Sequence, residues 1–402
     1  MNPDLNRLQD YPFQRLTALL NCIDAPAESD KSLIKLSIGE PKHPAPSIVL
    51  DSLRDNASAC SVYPKTKGTD TLRATIATWL TGRFQLNQVN SYTQVLPVTG
   101  TREAIFSFAQ AVIDRTQDNP LVLSPNPFYQ IYEGAALLAG ASLELLPCTK
   151  ETGYQPDFNL VSEQQWIDCQ LLYICSPGNP TGAVLNLEQL THLIELSDKY
   201  DFIIASDECY SEVYLADPPP GLLQACAALG RNDYKHCVVF HSLSKRSNVP
   251  GLRSGFIAGD ENILSQFLTY RTYHGCAMSE MTQAASVVAW GDEQHCIENR
   301  RTYVNKFNEV CRILGSVCHF EQPTASFYIW LPTAVSDVEF ASRLYAEEHI
   351  IVLPGSFLSR SVNGSNPGEN HVRLALVAEP HECIEAAERI KTFIERNQWQ
   401  TV

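Results

Sequence analysis

Hydrophobic positions along this chain follow two alternating rhythms. Short apolar runs (PLVLSP, LELLPC, CQLLYIC, DFIIAS, CVVFHS and RSGFIAGD) are about five residues long and rich in Val, Ile, Leu and Phe, as the buried strands of a mostly parallel sheet are. Between and before them the spacing becomes helical, over residues 47–56, 69–84 and from Arg102 through AIFSFAQAVI. Alternating strands and helices predict an α/β architecture with helices flanking the sheet.

The two ends break this rhythm. Residues 1–45 read as a short helix around 12–20, then the strand-like LIKLSIGEP, then an extended arm through Pro41, Pro44 and Pro46. Residues 279–314 read as one long helical stretch. ASFYIWLP, a helix over 338–348, IIVLPGSF, HVRLALVAE and a last helix over 383–397 follow, an order expected of a smaller α+β domain. SRSVNGSNPGEN (359–370) is a loop by composition. The expected division is residues 1–45 as arm and part of the small domain, 46–290 as the large domain, and 291–402 as the rest of the small one.

Composition narrows the function classes. The chain has 402 residues, 44% of them hydrophobic, enough for a large core. Its 30 Lys and Arg against 45 Asp and Glu give a formal charge of −15. No basic stripe offers itself to nucleic acid. Thirteen scattered cysteines form no C-x-x-C pair, and their number is odd. That argues for free thiols in a reducing compartment and against a disulfide framework or a metal site. The N-terminus lacks a signal-peptide core, and no run approaches the roughly 20 apolar residues of a membrane helix. A cytoplasmic protein is expected.

Three strand candidates end in polar clusters: LLYIC in SPGNPTG, FIIA in SDECY, and VVFH in SLSK. Ligand crevices of open α/β sheets lie beyond the carboxyl ends of the strands. Asn179, Asp207, Tyr210, Ser242 and Lys245 are therefore expected to converge. Each has a plainer reading: Asn179 as a turn residue, Asp207 as a helix cap, Tyr210 as core, Lys245 as a surface lysine past a strand. Lys245 resists its plainer reading most, because a lysine behind an apolar strand must pair or shift its pKa. Such an amine is a nucleophile toward carbonyl compounds, and pyridoxal 5′-phosphate is the aldehyde cofactor that suits it. That cofactor also needs phosphate donors, a carboxylate for its ring nitrogen and a flat partner. Gly100, Thr101 and Arg102 at a helix start, with Ser242 and Arg253, supply the first. Asp207 supplies the second, and Tyr129, before Phe128, the third. Ser242–Lys245 also matches the S-x-x-K of β-lactamase-type enzymes, but Pro250 and Gly251 would break the helix that motif opens, and its companion motifs are missing.

SPGNPTG, SDECY and SLSK…GLRSG resemble the motifs of the class I/II aminotransferases, fold-type I pyridoxal-phosphate enzymes. The likeness runs from LSIGEP to HVRLALV. HSLSKRSNVPGLRSGFIAGD and YRTYHGCAMS are similar to the proteobacterial succinyldiaminopimelate branch of that family. The resemblance implies a large domain with a seven-stranded sheet and a smaller domain. It implies transamination of N-succinyl-LL-2,6-diaminopimelate with 2-oxoglutarate; other transaminases, for acetylornithine or aromatic amino acids, and a C–S β-lyase are the alternatives. Residue by residue, it makes Lys245 the Schiff-base lysine and Asp207 the ring-nitrogen partner. Asn179 and Tyr210 would bond the phenolic oxygen, and Tyr129 would stack on the ring. Gly100, Thr101, Ser242 and Arg253, with Arg102 beside them, would hold the phosphate. Arg373 and Gly39 would bind the substrate α-carboxylate, with Asn179 next to them. Tyr63 would reach the phosphate of the other subunit, which implies a homodimer with shared sites. For the succinyl carboxylate the sequence offers Lys42, Arg271 and His274.

Overall fold

In the computed structural model, which describes residues 1–23 and 31–399, the six apolar runs become strands of one seven-stranded sheet. The first strand, β1 (Ile34–Lys35), lies outside it. The sheet comprises β2 (Val95–Val98), β3 (Leu121–Asn126), β4 (Ser142–Pro147), β5 (Cys169–Cys175), β6 (Ile203–Asp207), β7 (Cys237–Ser242) and β8 (Gly255–Gly259), in the order β2-β8-β7-β6-β5-β3-β4. All neighbours are parallel except β8, which runs against both β7 and β2. Every residue of β3, β7 and β8 is buried, which explains their unbroken apolar character.

β2 escaped the sequence reading. It is only VLPV and carries Pro97. It is an edge strand with β8 as its one partner, a place where a missing N–H is tolerated. Helices Thr101–Val112, Ile131–Leu138, Leu187–Tyr200 and Glu261–His274 connect or flank the strands. One apolar cluster lies on each face: Ile76, Leu80, Leu172, Ile204 and Val239 on one, Phe108, Tyr173, Val238 and Ile257 on the other.

A second group of strands stands apart from this sheet. β9 (Tyr328–Pro332), β11 (Leu353–Pro354) and β12 (His371–Ala375) form an antiparallel sheet in the order β11-β12-β9, while β10 (Ile350–Ile351) pairs in parallel with β1. Ile34 and Leu36 from the N-terminal arm pack with Phe307, Ile329 and Ile350. The arm's long strand-like run thus yields only two paired residues. The stretch expected as one helix over 279–314 is two, Glu280–Gly291 and Gln294–Leu314, interrupted at Asp292 and Glu293. Among the described residues no helix is long and apolar enough to cross a membrane, and all thirteen cysteines are free.

Candidate active site

Cys175 pairs with Asp207 and Asp207 with Phe240, so β5, β6 and β7 end nearly level. The loops beyond those ends wall a cleft of about 420 Å³. Lys245, Asp207, Asn179, Tyr210, Ser242 and Arg253 all line it, the convergence expected from strands that stop in polar clusters.

Lys245 follows β7 in a single helical turn, Leu243–Arg246. Its Nζ donates to the Gly39 carbonyl and lies 5.2 Å from the Phe327 ring centroid. Burial, aided by the cations Arg373 and Arg253, brings its pKa down to about 8. An amine tuned this way reaches its neutral, reactive form near physiological pH.

Asp207 is 5% exposed at the last position of β6. Its Oδ2 accepts from the Tyr132 hydroxyl at 2.8 Å and its Oδ1 from the Cys209 amide at 3.2 Å. Burial raises its pKa, while those two donors favour the charged form. The Tyr132 ring stacks on Tyr173 at 4.8 Å and meets Tyr129 edge-on at 5.8 Å.

At one end of the cleft the donors suit an anion. Gly100 caps helix Thr101–Val112 at φ +83°, and among the described residues no side chain caps the first-turn amides. An uncapped helix start is an anion site. The Arg253 guanidinium occupies the space a Cβ at position 100 would need, so glycine there serves both the backbone angle and the close approach. Ser242 Oγ accepts from the Ser244 amide at 3.1 Å and donates to Ser244 Oγ at 2.9 Å. Thr101 Oγ1 and Cys209 Sγ are 3.1 Å apart.

The opposite end is built by the small-domain elements. Arg373, on β12 and 3% exposed, donates through Nη1 to Asn179 Oδ1 at 2.8 Å and through Nη2 to the Ser37 carbonyl at 2.6 Å. Its Nε is buried without a hydrogen-bond partner among the described residues. Its guanidinium lies over the Tyr328 ring, 4.3 Å from the centroid. The Tyr328 and Tyr210 hydroxyls are 2.9 Å apart. A Cβ on Gly39 would collide with the Tyr328 hydroxyl.

At the mouth, Arg102 donates through Nε to the Tyr129 hydroxyl at 2.7 Å and through Nη2 to the Tyr11 hydroxyl at 2.8 Å. It forms no ion pair with a carboxylate among the described residues. Burial pushes the Tyr129 phenol upward, so it stays a neutral acceptor for Arg102. Tyr11, Phe13, Ile38 and Leu358 complete the rim.

Some expected residues lie elsewhere. Tyr63 is 98% exposed and does not line the cleft of its own chain. The three cations offered for a succinyl carboxylate also stand outside it. Arg271 is fully buried, with Nη1 donating to both Glu103 oxygens at 2.9 Å and Nη2 to the Cys276 carbonyl at 3.0 Å. Lys42 is exposed beside Val377, and His274 is exposed against Tyr270. Conversely, Tyr11, Tyr132 and Tyr328 escaped the sequence reading. ASFYIWLP reads as a plain strand, and nothing local marks Tyr132 or Tyr11, the residue before a helix-starting proline, as part of a site.

The donor set fits pyridoxal 5′-phosphate. An amine of lowered pKa, a buried carboxylate, a tyrosine face and an uncapped helix start under an arginine face one cleft. The family model for class I and II aminotransferases matches residues 31–390. The solved structure of an aminotransferase from Neisseria meningitidis is 48% identical, with a TM-score of 0.94 over 98% of this chain and 100% of that one. Aminotransferase AspB from Helicobacter pylori is 38% identical, with a TM-score of 0.89 over 96% and 99%. An LL-diaminopimelate aminotransferase from Syntrophobacter fumaroxidans is 29% identical over 96% of this chain and 97% of its own length. The chain therefore belongs to the class I and II aminotransferases, and its cofactor is pyridoxal 5′-phosphate.

Proposed function

We propose that this aminotransferase acts on a long amino acid with an acidic tail, N-succinyl-LL-2,6-diaminopimelate, with 2-oxoglutarate as amino acceptor, in the diaminopimelate route to lysine. Arg102 carries this reading. It is an exposed cation lining the same cleft as Arg373, steadied by two phenols and paired with no carboxylate among the described residues. A substrate with a carboxylate at each end would span the two arginines. The names of the relatives point to the same skeleton, and they favour a second reading in which free LL-diaminopimelate is the donor.

In this reading the bound cofactor supplies an electron sink beside the substrate α-carbon. Arg373 keeps N–H groups on Nη1 and Nη2 beyond those given to Asn179 and Ser37, and it holds the α-carboxylate with them. The Gly39 backbone contacts the same group. Lys245 Nζ would take the proton from the substrate α-carbon and return it across the amino nitrogen, two atoms away. Asp207, kept ready by Tyr132, keeps the ring nitrogen protonated. Asn179 and Tyr210 bond the phenolic oxygen, and Tyr129 covers the ring face. The amides of Gly100, Thr101 and Arg102, with Ser242 and Arg253, hold the phosphate. Tyr63 of the partner subunit completes that cup, which makes the active form a homodimer.

Stopped-flow bleaching of the visible band with a panel of amino donors tests the reading. Succinyldiaminopimelate and glutamate are expected to bleach the enzyme fast, and Arg102→Met to slow the succinylated donor about tenfold or more. A preference for LL-diaminopimelate over its succinyl derivative would overturn the substrate. Pyruvate released from cystathionine without any keto acid would overturn transamination in favour of a β-lyase.

A further inference from the structure

The turn that carries Lys245 has a support that none of these roles uses. A single helical turn leaves its last carbonyls without intrahelical donors. Asn299, on Gln294–Leu314, supplies them from outside. Its Nδ2 donates to the Lys245 carbonyl at 3.2 Å and to the Arg246 carbonyl at 3.3 Å. Its Oδ1 accepts from Asn248 Nδ2 at 2.8 Å and lies 3.1 Å from His43 Nδ1. An amide oxygen only accepts, so His43 carries its proton on Nδ1. His43 Nε2 is then the bare nitrogen, and it is buried without a hydrogen-bond partner among the described residues. Burial, then Lys306, keeps this imidazole below its usual pKa and therefore neutral. Every hydrogen-bonding position of the Asn299 amide is occupied, at 7% exposure.

His43 stands four residues beyond Gly39, whose carbonyl receives the Lys245 amine. The same N-terminal segment thus meets Lys245 at both ends, directly at Nζ and through Asn299 at the main chain. Arg246 anchors the turn independently, donating to the Ala289 carbonyl at 2.7 Å and the Asp292 carbonyl at 3.1 Å. Losing Asn299 would leave the turn attached but take the side-chain donor from the carbonyls of Lys245 and Arg246.

We propose that Asn299, with His43 as its proton-donating neighbour, is a positioning residue that fixes the direction in which the Lys245 amine enters the cleft. The inference rests on the reading of Lys245 as the catalytic amine.

The test titrates the visible band of the resting holoenzyme against pH and pairs it with kcat and KM. In Asn299→Leu and His43→Ala the midpoint is expected to move by about half a pH unit or more. kcat should fall about tenfold while KM changes less. His43→Gln, which restores a donor, should recover most of both. Val310→Ala is the control for stability alone: it hollows the core on the same helix and should leave the midpoint in place. The proposal is overturned if Asn299→Leu and His43→Ala keep the parent midpoint, or if Val310→Ala shifts it equally. Should Asn299→Leu fail to fold, His43→Ala decides alone. Borohydride reduction and peptide mapping separate the two layers. A tag on another lysine defeats the reading of Lys245, whereas a tag on Lys245 with unmoved midpoints defeats only this one.

Discussion

Tyr132 donates its hydroxyl to Asp207 Oδ2 at 2.8 Å, and the carboxylate that receives it is buried at the end of β6. Removing it in Tyr132→Phe leaves Oδ2 desolvated and unpaired, which raises the Asp207 pKa further and weakens its hold on a protonated ring nitrogen. The dissociation constant for pyridoxal 5′-phosphate is expected to rise about tenfold, the worth of one charge-assisted bond. Titration of the apoprotein with cofactor reads it, and an unchanged constant would remove Tyr132 from the site.

Lys245→Ala is expected to lose more than the ~10²–10⁴-fold that a positioned base contributes, because cofactor attachment and proton transfer fail together. The apoprotein carries a second signature. Its Lys245 pKa has fallen from 10.5 to about 8, so between those values the unfolded chain holds the extra proton and stability rises with pH. At pH 7 the buried ammonium costs stability, and Lys245→Met apoprotein should be about 2–3 kcal/mol more stable than its parent. Urea unfolding at pH 7 and pH 10 should show that advantage shrinking at the higher pH; equal advantage at both would contradict the assigned shift.

Arg373→Lys keeps the charge but loses the planar fork held between Asn179, Ser37 and the Tyr328 ring. KM should rise about a hundredfold for donor and acceptor alike, since both present an α-carboxylate. A rise for one substrate only would place the α-carboxylate elsewhere.

The homodimer expectation has a direct check. Tyr63 is almost wholly exposed on its own chain. If it serves the neighbouring subunit, mixing inactive Lys245→Ala protein with impaired Tyr63→Ala protein should create one competent site per mixed dimer. Activity above that of either parent alone is the expected result. No gain on mixing, with exchange verified by mass, would return Tyr63 to the surface.

The convergence of Lys245, Asp207 and Asn179 was legible because each stands at or just beyond the end of an apolar strand, where the ligand crevice of an open α/β sheet lies. Gly100 was legible from its place before a helix start. Arg102 was found as a residue but not for its side chain, which turns to the mouth because two phenols, one of them far away in sequence, receive it. Tyr328 and Tyr132 were hidden by their own hydrophobicity: each sits in a run that packing alone explains, and only the tertiary approach of a second hydroxyl or carboxylate reveals its polar end. Arg271 misled in the other direction, since nothing local announces that Glu103, 168 residues earlier, holds its Nη1 with both carboxylate oxygens. β2 was missed because a strand of four residues containing proline looks like a loop until its edge position is known.

Arg373, Tyr328, Gly39 and Asn299 all come from elements outside the seven-stranded sheet, while Asp207 ends one of its strands and Lys245 and Arg253 lie in the connection between its β7 and β8. Competence is therefore a property of the seam. Mild heat or denaturant that loosens the smaller core would silence the enzyme with its sheet still intact, so inactivation curves and circular dichroism need not coincide.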